Sequence, residues 1–309
     1  MRKEAVERVV GNIKATNNLD LDLLKPIVSE IKSMQERYSG EITRPIDEAL
    51  MNALQREIEA AEAVWVSAAG RNDYNAAKQA MEESFENLLS SAKSAFADLP
   101  NASAMWPFIE GRNKEKIEQL RALEFAYCKS EFNRIRNTTS VSNIEPVLNI
   151  LTRFRSRWAS PGKELQEVSD VIKFLESIKG GIRCELGIVS GNFKDYEGWL
   201  TTPNTFIELY SGAYVSESTS LGSTNHINSA QPQFNAGYTF AWNVGTQFTF
   251  VGKKEGKLYG ADEIFRRTVS ATGLFGYKEL SGSLYDSQHR TSVYIKLDLI
   301  NNIPKCPWE

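Results

Sequence analysis

The stretch Ile178-Lys179-Gly180-Gly181-Ile182-Arg183-Cys184-Glu185-Leu186-Gly187-Ile188 decides the fold class. Before it, apolar residues recur every three or four positions, as in Leu165, Val168, Ile172, Leu175 and Ile178. After it they recur every second position, in Ile182, Cys184, Leu186 and Ile188. The first period is one face of a helix and the second is one face of a strand. The glycine pair between them reads as a helix stop and a hinge.

Composition changes at the same place. Residues 1–180 hold only six of the 20 glycines but 25 of the 36 Lys and Arg. Residues 181–309 hold 19 of the 32 aromatic residues. High charge with little glycine suits helices with solvated faces; aromatics, threonine and glycine suit twisted strands and turns. Both halves are nearly neutral, and the whole carries a formal charge of −3. That balance argues against a dedicated nucleic-acid binder.

The first half reads as about six amphipathic helices, over 20–38, 43–70, 72–97, 112–137, 143–158 and 163–179. Gly40 reads as a stop, and Leu99 to Pro107 as a breaker. Each stripe is apolar on one face, so the helices must pack on one another. The second half reads as short strands, with 205–210, 213–220, 238–243, 247–251 and 267–272 between the alternating segments 182–189 and 293–299. Short strands with turn signals between them indicate an antiparallel sandwich. The expected fold class is α + β multidomain: an elongated all-α helical bundle over 1–179, a β-sandwich over 182–303 and a short end, 304–309. Pro304, Pro307 and Trp308 make that end one that docks back onto the protein.

The order of features over 182–300 resembles a C2 domain. Thr202-Pro203-Asn204-Thr205-Phe206-Ile207-Glu208-Leu209 looks like the family's Ser-Asp-Pro-Tyr-Val-x-Val segment. Gln231-Pro232-Gln233-Phe234-Asn235-Ala236-Gly237-Tyr238-Thr239-Phe240 looks like its Asn-Pro-x-Trp-Asn-Glu-x-Phe-x-Phe segment. The resemblance implies an eight-stranded sandwich that binds lipid or calcium. This chain departs where calcium ligands belong: Gly252-Lys253-Lys254-Glu255-Gly256-Lys257 follows the strand into the third loop, and Asn204 replaces an aspartate. Calcium needs six to eight oxygens, and Asp195, Glu197 and Asp262 are too few to supply them. No cofactor or metal is expected.

Lys253, Lys254 and Lys257 are expected on one sandwich tip, beside Phe193 and Trp199 of the first loop. Such a tip would touch an anionic membrane weakly, at about 1 kcal/mol per basic residue, and insertion of Trp199 would strengthen it. The alternative is a solvated lysine hairpin.

Other constellations are weaker. Arg134, Arg136, Arg153, Arg155 and Arg157 scatter around their helices and read as solvated. His226 and His289 lack a nucleophile elbow or a metal-ligand pattern. The helical half has no histidine, which excludes a carboxylate–histidine metal site within that bundle. Cys128 and Cys184 read as core residues, and Cys306 as near a free end where it could react. No apolar run is long enough to span a membrane, and the start lacks a secretory pattern. The compartment expected is cytoplasmic, with peripheral membrane association as an extension. The expected function is a non-catalytic adaptor or scaffold. Its helices would bind a protein partner or self-associate, and its calcium-independent sandwich would bind protein or anionic lipid. No nucleic acid and no small-molecule substrate is expected. A helical-bundle toxin or pore-former, or an unrecognised enzyme, is the alternative.

Overall fold

The computed structural model describes the chain except Met1, 16–20, Ser39, 100–102, Ala104, 159–161, 194–203 and 256–259, and the side chains of residues 2, 21–26 and 279. Helices come first and strands second, with the change at Gly180–Gly181. Gly181 takes a left-handed φ of +81°, the conformation a glycine supplies after a helix end.

The helices are α1 (Arg2–Ala15), α2 (Leu21–Arg37), α3 (Gly40–Gly70), α4 (Tyr74–Phe96), α5 (Met105–Ile135), α6 (Ile144–Arg157) and α7 (Lys163–Lys179). α1 is an addition to the sequence reading. Its stripe is thin, with only Val6, Val9 and Ile13 buried within a charged run. Gly40 begins α3 instead of closing α2. Pro107 does not break the chain, because it is the third residue of α5, where backbone N–H groups lack intrahelical partners anyway. α7 keeps the expected bounds.

The secondary structure changes at residue 180, but the compact units divide within α5. One comprises Met1–Tyr127 and the other Cys128–Glu309. In the first unit, α3 packs on α4 and α1 on α3. Ile46, Leu50, Leu54 and Ile58 of α3 and Ala77, Met81, Phe85 and Phe96 of α4 make its core, all at most 2% exposed. Asp73 caps α4 by accepting from the Ala76 N–H at 3.1 Å. Glu62 of α3 ties to Lys116 of α5 at 3.1 Å.

The second unit contains the sandwich. Its strands are β1 (Ile182–Asn192), β2 (Asn204–Ser211), β3 (Ser220–Ser223), β4 (Ile227–Asn228), β5 (Gln233–Trp242), β6 (Thr246–Glu255), β7 (Ala261–Ala271), β8 (Gly282–Asp286) and β9 (Thr291–Leu299). One sheet has the order β5-β1-β9-β8; the other has β3-β2-β6-β7, with β4 beside β2. Every pairing is antiparallel. Alternation set the registers: Leu186 lies opposite Tyr238 and Leu297, and Cys184 opposite Phe240 and Leu299. The expected strand 213–220 is instead an irregular segment with a single 3-10 turn over Glu217–Thr219, and only Ser220 is extended, as the start of β3. Hydroxyls there compete for the backbone, with Thr219 donating to the Tyr214 carbonyl at 2.8 Å.

The sandwich shares its core with helices. Phe132 of α5 is fully buried, 6.5 Å from Phe275 and 5.6 Å from Trp308, both edge to face. Phe174 of α7 stacks on Phe275 at 5.2 Å. The chain between α5 and α6 is stitched to the turn after β7. Leu274 N–H donates to the Arg136 carbonyl at 2.8 Å, and Gly273 N–H to that of Thr138 at 2.9 Å. Gly273 has a φ of +81°, and a Cβ there would lie 2.7 Å from the Arg136 oxygen. The end of the chain docks as well: Trp308 Nε1 donates to Glu167 of α7 at 3.0 Å.

Candidate binding surfaces

Two of the three lysines of the expected tip, Lys253 and Lys254, lie within a strand. β6 runs through Glu255, so Lys253 and Lys254 are ladder residues, opposite Phe206 and Thr205 of β2. Lys253 Nζ sits 2.8 Å from Glu208, and its side chain is only 27% exposed. Glu208 also accepts from the Tyr210 hydroxyl. Burial, followed by this hydrogen bond and the carboxylate charge, pushes the Tyr210 phenol up to about 12. On β7, Glu263 grips Arg266 through two contacts at 2.8 and 2.6 Å, and that hydrogen bonding raises the guanidinium's affinity for its proton. Lys253 and Arg266 are thus each held by a carboxylate of their own sheet.

Phe193 is not a surface residue. Its N–H donates to the Ala230 carbonyl at 2.7 Å, which continues the pairing beyond β1. Its ring is 0% exposed. Glycines make the room: a Cβ at Gly191 would fall 2.5 Å from that ring. A fully buried ring cannot insert into a bilayer, so Phe193 leaves the set of contact residues. Trp199 and Lys257, with Asp195 and Glu197, lie outside the described residues.

His226 stacks on Phe206 with ring centres 4.0 Å apart, and its Nδ1 meets Glu255 at 2.5 Å. Asn204 donates to the other oxygen of Glu255. The carboxylate and amide thus fasten the β4 side of the sheet to the end of β6. Asp262 is exposed on β7 opposite Lys254. Among the described residues, no group of three or more His, Cys, Asp or Glu is placed to hold a metal.

Asp286 and His289 form a structural knot at the β8–β9 hairpin. Asp286 is 7% exposed. Burial pushes its carboxyl upward, but hydrogen bonds from His289 and from the N–H groups of Arg266, Gln288 and His289 outweigh this and hold it below the usual carboxylate range.

Cys306 is 3% exposed and its thiol is pushed up by burial, so the cysteine that could have reacted near a free end is a core residue. Cys184 is fully buried, and burial raises it to about 11. The surface also carries concavities. A groove of about 700 Å³ in the first unit runs between α1 and α3, floored by Val6, Val10, Ile42 and Pro45. A smaller cavity of about 420 Å³ in the second unit lies beside Phe174, Tyr277, Leu297, Ile303 and Cys306. Among the described residues, no helix is long and apolar enough to cross a membrane.

No family model and no curated protein matches the chain. Solved structures similar to it include human GIVD cytosolic phospholipase A2 bound to methyl gamma-linolenyl fluorophosphonate and terbium chloride, at 10% identity and a TM-score of 0.31. That likeness covers 38% of this chain and 17% of the phospholipase, so the chain spans about a sixth of that enzyme's length. A C2 domain of plant extended synaptotagmin 1 is similar at 11% identity and a TM-score of 0.30, over 38% of this chain and 92% of that domain. CC2D1B, which coordinates ESRCT-III activity during the mitotic reformation of the nuclear envelope, is similar at 13% identity and a TM-score of 0.29, over 60% of this chain and 90% of that one. The second half of the chain is an antiparallel β-sandwich of two sheets, and C2 domains are among the structures it is similar to.

Proposed function

We propose that the protein is a non-catalytic adaptor whose C2-like sandwich binds a protein partner without calcium. The observation that carries this reading is that Lys253, Asn204 and His226 are engaged within the sandwich itself. Lys253 is occupied by Glu208, and Asn204 and His226 are occupied by Glu255. A lysine committed to its own carboxylate contributes little to an anionic membrane, and Phe193 has no route into one. Protein recognition needs neither. The helical half is the second arm of the adaptor.

Two measurements test the reading. Thermal melting of the full chain with millimolar calcium, or with a chelator, is expected to give one and the same midpoint. A ligand that binds only the folded state raises the midpoint, so a reproducible calcium-dependent rise would overturn calcium independence. Sedimentation with vesicles of phosphatidylcholine and phosphatidylserine at low salt is expected to leave the protein in the supernatant. Strong pelleting would move the sandwich's role to lipid.

A further inference from the structure

The chain leaves β9 at Leu299 and runs to Glu309 as neither helix nor strand. The Ile300 N–H donates to the Arg183 carbonyl of β1 at 2.9 Å. Among the described residues, that is the last backbone–backbone hydrogen bond tying the chain to another element. Pro304 and Pro307 have no N–H with which to extend a ladder. What holds the segment beyond residue 300 is side chains. Trp308 is buried edge to face against Phe132, lies under Lys129 at 5.7 Å, and donates to Glu167 at 3.0 Å. Cys306 is buried. Glu309 pairs with Lys278, but both side chains are nearly half exposed, so that pair contributes little. Between these anchors the segment spans a gap. The cavity of about 420 Å³ has Ile303, Pro304 and Cys306 on one side and Phe174, Tyr277 and Leu297 on the other. Across it the contacts of a close-packed interior are not made.

We propose that residues 301–309 are a hinged strap, which lifts from its Trp308 anchor and opens the cavity beneath it while both sheets of the sandwich stay folded. This inference does not depend on the adaptor reading. Segments that open locally have few backbone hydrogen bonds and sparse apolar contacts, and both conditions hold here. Lifting the strap breaks no rung of a ladder, because β9 keeps its pairing to β1 and β8 up to Leu299. The open form is a minor state, since Phe132 then loses the indole that covers it. In that state Phe132 is uncovered and the cavity wall of Phe174 and Tyr277 becomes accessible, so the strap gates an aromatic recess that the closed protein hides.

Two thiols separate local opening from unfolding. Cys306 sits on the strap, and Cys184 sits in β1 with its side chain in the core of the sandwich. The full chain is labelled with N-ethylmaleimide across a urea series below the unfolding midpoint, and each cysteine is quantified by peptide mass spectrometry. Cys306 is expected to label at least about tenfold faster than Cys184. Its rate is expected to change little with urea, whereas that of Cys184 rises steeply, because the urea slope follows the surface exposed in each opening. Trp308→Ala is expected to speed Cys306 at least about tenfold over the parent, with Cys184 still the slower thiol. Equal urea slopes for the two thiols in the parent protein would overturn the proposal without recourse to any variant. An unchanged Cys306 rate in Trp308→Ala, or equal labelling of both thiols in it, would overturn the proposal as well.

Discussion

Replacing Phe132 with alanine tests whether the sandwich and the helices before it are one cooperative body. Phe132 is fully buried and meets Phe275 at 6.5 Å and Trp308 at 5.6 Å. Truncating a buried phenylalanine costs about 3–5 kcal/mol, of which two edge-to-face pairs supply roughly 1–3 kcal/mol. A unit of this size loses about 2–4 °C in melting temperature per kcal/mol, so its transition should fall by roughly 6–20 °C. Scanning calorimetry reads this directly. Near-UV circular dichroism of the aromatic cluster assigns the shifted transition to residues 128–309. A double-mutant cycle with Trp308→Ala should return a coupling of about 0.5–1.5 kcal/mol. A loss below about 1 kcal/mol together with zero coupling would refute the reasoning, and α5 would then be a neighbour of the sandwich and not part of its core.

Further outcomes follow from the same contacts. A fragment of residues 128–309 should unfold cooperatively. A fragment of residues 181–309, stripped of Phe132 and Phe174, should bind a hydrophobic dye and lack a sharp thermal transition. Gly273→Ala should cost about 2 kcal/mol or more by urea titration, because it joins a left-handed φ to a Cβ 2.7 Å from the Arg136 oxygen. Asp286→Asn should destabilise by about 1–3 kcal/mol at neutral pH. The folded carboxyl sits below its unfolded value of about 3.9, so the stability it supplies is complete above that pH and is lost as pH falls through the folded value. The gap between the parent and the Asn variant should therefore close below about pH 4. With Cys184 near 11 and all three thiols buried, a charged disulfide reagent at neutral pH should react no faster than the protein opens.

Periodicity made the architecture legible. The spacing of Leu165 to Ile178 reproduces α7 to the residue, and the alternation from Ile182 places β1. Local signals failed where position altered their meaning. Pro107 breaks a helix interior but is accommodated in the first turn of α5. Phe193 looked like a loop aromatic because nothing local reveals that its backbone remains paired to residue 230. The lysine run looked like a hairpin because the length of β6 is set by its partners: β7 holds Glu255 opposite Ala261. The Lys253–Glu208 pair was illegible for a similar reason, since its residues lie on different strands and meet only after the register is set. The docking of Trp308 was legible from its flanking prolines, but its meeting with Phe132, Phe174 and Phe275 was not, because each of those aromatics serves equally well as an ordinary core residue.

That junction also bears on the timing of folding. The hydrogen bond from Trp308 to Glu167 closes a separation of 141 residues. Contacts so distant in sequence are slow to form, since the chain entropy of closure comes before the reward. During synthesis, residues 1–127 can condense early, whereas the second unit must wait for residues 304–309. Until then Phe132, Phe174 and Phe275 lack their last covering side chain, and the uncharged edge of β5 is exposed beside a half-built core. Slow codons or a holding chaperone acting just before residues 304–309 emerge would therefore affect the yield of the second unit more than the same delay placed earlier.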